Sequence, residues 1–347
     1  MTLEASSAAQ MYELMKPRLE KLLPDFEIKL KSEVAFEVNR LKRELNAVIL
    51  GHNYMEPALF VSVPDVVGDS LKLAREAAKT DAKIIVMCGV RFMAESAKVL
   101  NPDKMVLIPS ARAGCSLASS ITAADVRALK AQYPGVPVIT YINTRAEVQA
   151  ECDSVCTSGN ASKVVASFSS PQIIFVPDEY LARNVARETG KTILIPSKGD
   201  QISANEKPVL IGWHGRCEVH EKFTVEDIKN VRAQFPKVKV LAHPECSPEV
   251  VEASDYSAST SFMVQWVKEH HADQYLLLTE CSMGDNIIAE NPDKEVLRMC
   301  SIRCPHMNEI TLEDTLAALR QKQYEVHVDE KVQRGARRAL NRMLAVQ

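Results

Sequence analysis

Nowhere in the 347 residues do apolar side chains run for the ~18 positions that a membrane-spanning helix needs, so a helical membrane protein is not expected. The opening stretch, MTLEASSAAQMYELMKPRLEKLL, mixes apolar and charged residues and lacks the apolar core of a signal peptide; a cytoplasmic location follows. A basic excess is also missing. With 42 Lys and Arg against 45 Asp and Glu, net charge is -3, which removes the electrostatic footprint of a nucleic-acid partner. The cluster Arg334 to Arg338 then reads as one solvated helix face. No GxGxxG occurs, and Gly190-Lys191-Thr192 resembles only the end of a phosphate loop because Val185 stands where its first glycine belongs, so nucleotide binding has no support. None of the nine cysteines forms a CxxC pair, a poor fit to a zinc knuckle. Without an export signal these thiols are expected to be reduced.

Hydrophobic content of 46% with 25% charged residues is ordinary globular composition, and this length accommodates two or three cores. Short Val- and Ile-rich runs alternate with helical periodicity, the pattern of parallel α/β units. Three runs, NAVILGHNY, VPVITYINT and VKVLAHPEC, break into polar residues in the same way. After each comes an aspartate and, 5 residues on, a hydroxyl: Asp65 and Ser70, Asp153 and Ser158, Asp255 and Thr260. A second strand follows 21 residues after each aspartate, at Val86, Ile174 and Leu276. The third strands are KMVLIPS, KTILIPS and KEVLRMC, and beyond each lies a cysteine: Cys115, Cys217 and Cys304.

This recurrence predicts three similar three-layer αβα domains, each strand–helix–strand–helix–strand, in pseudo-threefold arrangement. The divisions are a helical N-terminal extension over 1–34, a first domain over 35–119 joined by the C-terminal segment 305–347, a second over 120–217 and a third over 218–304. Within the second, 199–215 has the Gly, Asn and Pro content of an inserted surface loop. Ligands of parallel α/β sheets gather beyond the carboxyl ends of the strands, so nine loops would converge on one central cavity.

At the first-strand ends polar residues recur at alternate positions: His52 and Tyr54, Tyr141 and Asn143, His243 and Glu245. Alternate strand positions share a face, so each pair can project into that cavity with groups for proton transfer and for orienting polar substrate atoms. Ser70, Ser158 and Thr260 fall where helices begin. They read as N-caps, and the same helix starts suit a carboxylate or phosphate. Cys88, Cys152, Cys156, Cys246 and Cys281 read as small buried apolar residues. Cys115, Cys217 and Cys304 occupy equivalent places, so three thiolates could meet only on the central axis. A cubane held by three thiolates would leave one iron open. Cys300, one helical turn before Cys304, competes as a ligand. His214 reads as a solvent-facing loop residue.

As a set, GHNY, GDSL, GVRFMAE, NPDK, YIN, CTSGNA, CEVH, HPE, CP-x-M at Cys304, HVDE and LNRML resemble the quinolinate synthase family from about residue 35 to the end. The resemblance implies a central [4Fe-4S] cluster ligated by Cys115, Cys217 and Cys304 and acting as a Lewis acid. It implies substrate contacts from His52, Ser70, Tyr141, Asn143, Ser158, His243, Glu245 and Thr260, with Tyr54 and His220 near the cavity. Glu245, Tyr54, His52 and His220 would carry the proton chemistry. The activity implied is condensation of iminoaspartate with dihydroxyacetone phosphate to quinolinate, phosphate and water in NAD biosynthesis, the iminoaspartate coming from an L-aspartate oxidase or aspartate dehydrogenase. Two features depart from the family pattern: Ala258 stands where a glycine is common before Ser-Thr, and the segment before Cys217 is longer. The alternatives are another three-cysteine hydro-lyase, which leaves YIN, HPE and CTSGNA unexplained, and a redox-sensing binding protein, for which no effector surface is visible.

Overall fold

The computed structural model describes residues 2–196 and 209–346. Two helices, α1 (Ala8–Leu19) and α2 (Asp25–Glu44), precede the first sheet. That sheet is built from β1 (Ala47–His52), α3 (Pro57–Ser62), β2 (Val66–Gly68), α4 (Ser70–Lys79), β3 (Ile84–Cys88), α5 (Arg91–Leu100) and β4 (Met105–Leu107), with strand order β2-β1-β3-β4. After α6 (Ser116–Ser119) and α7 (Ala123–Gln132) the second sheet takes β5 (Val138–Tyr141), α8 (Ala146–Ala150), β6 (Ser154–Cys156), α9 (Ala161–Ala166), β7 (Gln172–Val176), α10 (Glu179–Thr189), β8 (Thr192–Leu194) and β9 (Val209–Ile211), in the order β6-β5-β7-β9-β8. Then α11 (Val225–Gln234) leads to β10 (Lys239–Ala242), α12 (Pro248–Ala253), β11 (Tyr256–Ser257), α13 (Thr260–Glu269), β12 (Tyr275–Leu278), α14 (Cys281–Glu290) and β13 (Val296–Arg298), ordered β11-β10-β12-β13. The chain ends in α15 (Leu312–Gln321) and α16 (Glu330–Ala345).

The strands of all three sheets pair in parallel. Their helices cover both faces, which is why the central runs are apolar throughout rather than alternating; all of β3 and all of β12 are buried. The recurring aspartates explain part of the register. Asp65, Asp153 and Asp255 each accept a hydrogen bond from a first-strand amide, of Ile49 (2.8 Å), Val138 (2.8 Å) and Val240 (2.9 Å). Each returns its own amide to the carbonyl of that same residue, at 2.9, 2.8 and 2.8 Å. The latched residues pair across the sheet with Val86, Ile174 and Leu276, so the 21-residue spacing marks one structural position three times.

Two expectations need correction. Each sheet has a further edge strand, β2, β6 or β11, immediately after the latching aspartate; at two or three residues these are too short to show a period. The expected insertion, in turn, is not simply a loop. Residues 199–208 lie outside the described residues, but 209–211 form β9, fully buried between β7 and β8. Ile174 pairs with Ile211, as Val86 pairs with Leu107 and Leu276 with Leu297. The equivalent of β4 and β13 is therefore β9, whereas β8 (Thr192–Leu194) is an added edge strand that pairs with β9 alone. Apolar content could not separate the two runs; pairing partners do.

Beyond each of Cys115, Cys217 and Cys304, seven residues on, a threonine begins a helix: Thr122, Thr224 and Thr311 each accept from the amide of an aspartate three residues later, at 3.2, 3.2 and 3.0 Å. This caps α7, α11 and α15 and fixes where each cysteine loop ends. At the C-terminus α15 packs on α2 and β3, while α16 lies across α8, β6 and α5. Gly335 permits that last approach, since a Cβ there would sit 2.8 Å from the carbonyl oxygen of Ala150.

Candidate active site

The first strands stop at His52, Tyr141 and Ala242, so the alternate polar residues do not share a strand face as expected. Turns bring them together instead. His52–Met55 and His243–Cys246 close the same turn, the fourth amide donating to the first carbonyl at 3.1 and 2.9 Å. Inside each turn the third amide, of Tyr54 or Glu245, donates to the Nδ1 of the histidine two residues back at 3.3 Å. Nδ1 is thereby the acceptor, which leaves Nε2 as the protonated nitrogen of a neutral ring. Burial lowers the pKa of His52 to about 4 and that of His243 to about 3, so both rings are neutral near pH 7 and offer N–H donors.

One cavity is lined by all of the expected residues: His52, Tyr54, Ser70, Cys115, Tyr141, Asn143, Ser158, Cys217, His220, His243, Glu245, Thr260 and Cys304. Its free volume is about 80 Å³.

Glu245 is the electrostatic centre. Burial alone would keep it neutral, but His220 Nδ1 lies 2.7 Å from Oε2, and Oε1 accepts from the Tyr141 hydroxyl at 2.5 Å and the Asn143 amide at 3.3 Å. His220 and the Tyr141 hydroxyl outweigh burial, and the carboxyl is held well below its ordinary range. Tyr54 moves the other way: burial, reinforced by the Glu245 charge, pushes its phenol well above 10, so it stays protonated. Its oxygen is 2.5 Å from the Thr279 hydroxyl, which in turn lies 3.0 Å from His220 Nε2. A continuous hydrogen-bonded path thus joins Tyr54, Thr279, His220, Glu245 and Tyr141.

The three hydroxyls sit at the cavity without being caps. Asp69 caps α4 by accepting from Lys72, and Ser70 is the first helical residue. Thr260 opens α13 and accepts from Asn53 at 2.8 Å. Ser158 precedes α9 and meets His243 Nε2 at 3.3 Å. Ala258 leaves this arrangement intact, with Ser259 donating to Asp69 at 2.7 Å.

Cys115, Cys217 and Cys304 are free and line the cavity together. Backbone amides two and three residues on favour the thiolate of each: those of Leu117 and Ala118 at Cys115, of Val219 and His220 at Cys217, and of His306 and Met307 at Cys304. Burial nonetheless pushes the Cys115 thiol up to about 12, that of Cys304 to about 11, and that of Cys217 well above its usual value. Three free cysteines lining one cavity, each favoured as a thiolate by nearby amides but opposed by burial, suit thiolates whose compensating charge is a metal centre. The residues fit a three-thiolate cluster. Cys217, His220 and Glu245 also lie within 4.8 Å of one another. Those three atoms already satisfy one another, His220 Nδ1 lying 3.2 Å from Cys217 Sγ.

Cys300 is not in this cavity. It is bonded to Cys281 in a disulfide, which corrects both the expectation of uniformly reduced thiols and the picture of Cys281 as a plain apolar residue. Cys88, Cys152, Cys156 and Cys246 are free and buried as expected. His214 is exposed, its ring against the Pro196 carbonyl.

Thr279 and Glu280 went unrecognised in the sequence, although they end the second strand as His52 and Tyr54 end the first. Burial raises Glu280 to about 7, and its carboxylate accepts from the amide of Ser282 at 2.7 Å at the start of α14. The rule that polar residues gather at strand ends, applied to all strands, finds both.

A family model described as "Quinolinate synthetase A protein" matches residues 36–345. Quinolinate synthase 1 of Mesorhizobium japonicum is 48% identical over 340 residues, 98% of this chain and 98% of its own. Quinolinate synthase of Agrobacterium fabrum is 48% identical over 343 residues, 99% of this chain and 93% of its own, and that of Xylella fastidiosa is 51% identical over 314, or 90% and 86%.

Proposed function

The chain belongs to the quinolinate synthase family, and from that premise we propose that it condenses iminoaspartate with dihydroxyacetone phosphate to give quinolinate, phosphate and water in de novo NAD biosynthesis. Cys115, Cys217 and Cys304 would hold a [4Fe-4S] cluster at the axis of three αβα domains in pseudo-threefold arrangement. When bound, such a cluster supplies a Lewis acid, because three thiolates leave one iron without a protein ligand. The observation that carries this reading is that three free cysteines at equivalent places in the repeats, Cys115, Cys217 and Cys304, line one cavity together with Tyr54 and with Glu245, which is held by His220 and Tyr141.

Two titratable groups with pKa values driven apart define a base and an acid. Glu245 accepts a carbon- or nitrogen-bound proton, which the hydrogen-bonded path through His220 and Thr279 relays toward Tyr54. Tyr54 donates to a departing or developing oxygen. The neutral rings of His52 and His243 orient substrate oxygens through Nε2–H, and Ser70, Ser158 and Thr260 add hydroxyls for carboxylate or phosphate oxygens. The buried walls exclude water from intermediates that would hydrolyse. No helix of the described residues is long and apolar enough to cross a membrane, which is compatible with a cytoplasmic enzyme. Iminoaspartate would be supplied by oxidation of aspartate, by an oxidase or a dehydrogenase.

The test is an anaerobic assay of the iron-reconstituted protein with both substrates, iminoaspartate being generated in place, followed for quinolinate by mass. Product that depends on both substrates and is lost in Cys304→Ser supports the proposal. Full iron content with no quinolinate above the Cys304→Ser background overturns it.

A further inference from the structure

Three fully buried carboxamides share an unusual task. Asn286, on α14, donates to the carbonyls of Asn53 and Met55 at 3.0 and 2.9 Å. Asn184, on α10, donates to those of Pro244 and Cys246 at 2.9 and 3.1 Å. Gln149, on α8, donates to those of Ile142 and Thr144 at 3.3 and 3.1 Å. In every case one NH₂ group forks across two carbonyls two residues apart just beyond a first strand, and the residue between them is Tyr54, Glu245 or Asn143.

The fork has a physical logic. A primary amide nitrogen carries two N–H donors, and two carbonyls two residues apart flank one residue whose backbone is then fixed from both sides. The side-chain oxygens of Asn286 and Gln149 are buried without a partner, so donation is the service these groups perform. For Tyr54 and Glu245 the clamp comes from another sheet's third helix, α14 holding the β1 turn and α10 the β10 turn. The relative seating of neighbouring sheets therefore sets the position of the proposed acid and base.

We propose that Asn286, Asn184 and Gln149 are positioning residues of the reaction, acting through Tyr54, Glu245 and Asn143 without touching substrate. The kinetic part of this assignment rests on the function proposed above; the local ordering of the turns does not.

Asn39 provides a matched control. It too is buried, forks its amide to two carbonyls, of Leu3 (2.9 Å) and Ser62 (3.2 Å), and leaves its oxygen unpaired, but it lies away from the cavity. The full-length protein would be made as Asn286→Ala, Asn184→Ala and Asn39→Ala, with Asn→Ser at the same positions replacing any alanine variant that does not fold. Hydrogen–deuterium exchange, read without substrate, should accelerate at 52–56 in the Asn286 variant, at 243–247 in the Asn184 variant, and at neither in the Asn39 variant. Quinolinate turnover at saturation should fall roughly 10- to 100-fold in the first two, the scale of a small displacement of catalytic groups. KM and iron content should stay within about twofold of wild type, and Asn39→Ala should keep its kcat. Uniform exchange changes, or equal kcat losses in all three variants, overturn the positioning role. Selective exchange in a protein that makes no quinolinate would instead sink the functional reading and leave the clamps standing.

Discussion

Replacing Glu245 with glutamine isolates charge from shape. The substitution keeps Oε1 as an acceptor for Tyr141 and Asn143, at 2.5 and 3.3 Å in the native chain, and removes the negative charge that faces His220 at 2.7 Å. One charge-assisted hydrogen bond is lost, worth about 1.5–3 kcal/mol, and is partly offset because a buried carboxylate no longer has to be desolvated. The fold should therefore persist with a stability change of no more than about 3 kcal/mol. Catalysis should suffer far more. Glutamine cannot accept a proton at neutral pH, and loss of a positioned general base lowers turnover by about a hundredfold or more. The measurement pairs calorimetric Tm and iron content with anaerobic quinolinate formation at several substrate concentrations. Turnover near wild type at saturation, with a raised KM only, would show that Glu245 binds substrate and does not move protons.

The cysteine assignments separate cleanly by iron analysis: Cys115→Ser, Cys217→Ser and Cys304→Ser should each lose the iron and sulfide that wild type binds. Cys300→Ser should retain them, because Cys300 is joined to Cys281; cluster loss in that variant alone would reassign the ligand. Stability should fall with acid through the cavity histidines. Unfolded histidine binds a proton below about 6.5. His52 resists protonation until about pH 4 and His243 until about pH 3, so stability is full above pH 6.5 and declines below it. At about 1.4 kcal/mol per tenfold change in proton affinity, His52 accounts for up to about 3 kcal/mol of that decline. His52→Gln should flatten the pH dependence of the urea midpoint between pH 6.5 and 4, and an unchanged slope would contradict a neutral buried ring. Asp255→Ala removes the acceptor of the Val240 amide (2.9 Å) together with ion pairs to Arg232 and Lys239. It should cost about 1–3 kcal/mol, measured by urea unfolding, while Asp255→Asn should recover part of the loss.

Much of the architecture was legible because short-range chemistry repeats. An aspartate that latches a neighbouring strand must sit at a fixed distance from it, so Asp65, Asp153 and Asp255 announced three units before any contact was known. The cavity residues at the first strands were legible for a related reason: polar groups ending an apolar run have to face a loop region, and in parallel sheets those regions gather. The sequence also contained, unnoticed, a threonine seven residues beyond each of Cys115, Cys217 and Cys304, which aligns the three loops independently.

What pairs with what was beyond the sequence. KTILIPS and the run ending at Ile211 are equally apolar, and only the neighbour of β7 decides that β9 is the inner strand. Cys281 and Cys300 are 19 residues apart, and nothing local distinguishes them from buried thiols until β12, α14 and β13 fold the two together. Thr279 became part of the site only when its hydroxyl landed between Tyr54 and His220, groups 225 and 59 residues away along the chain. Residue types and local spacing determined which chemistry the chain carries. The opposed pKa values of Glu245 and Tyr54, and the forked amides that hold them, came from tertiary structure, because burial and charge proximity are properties of the space between segments.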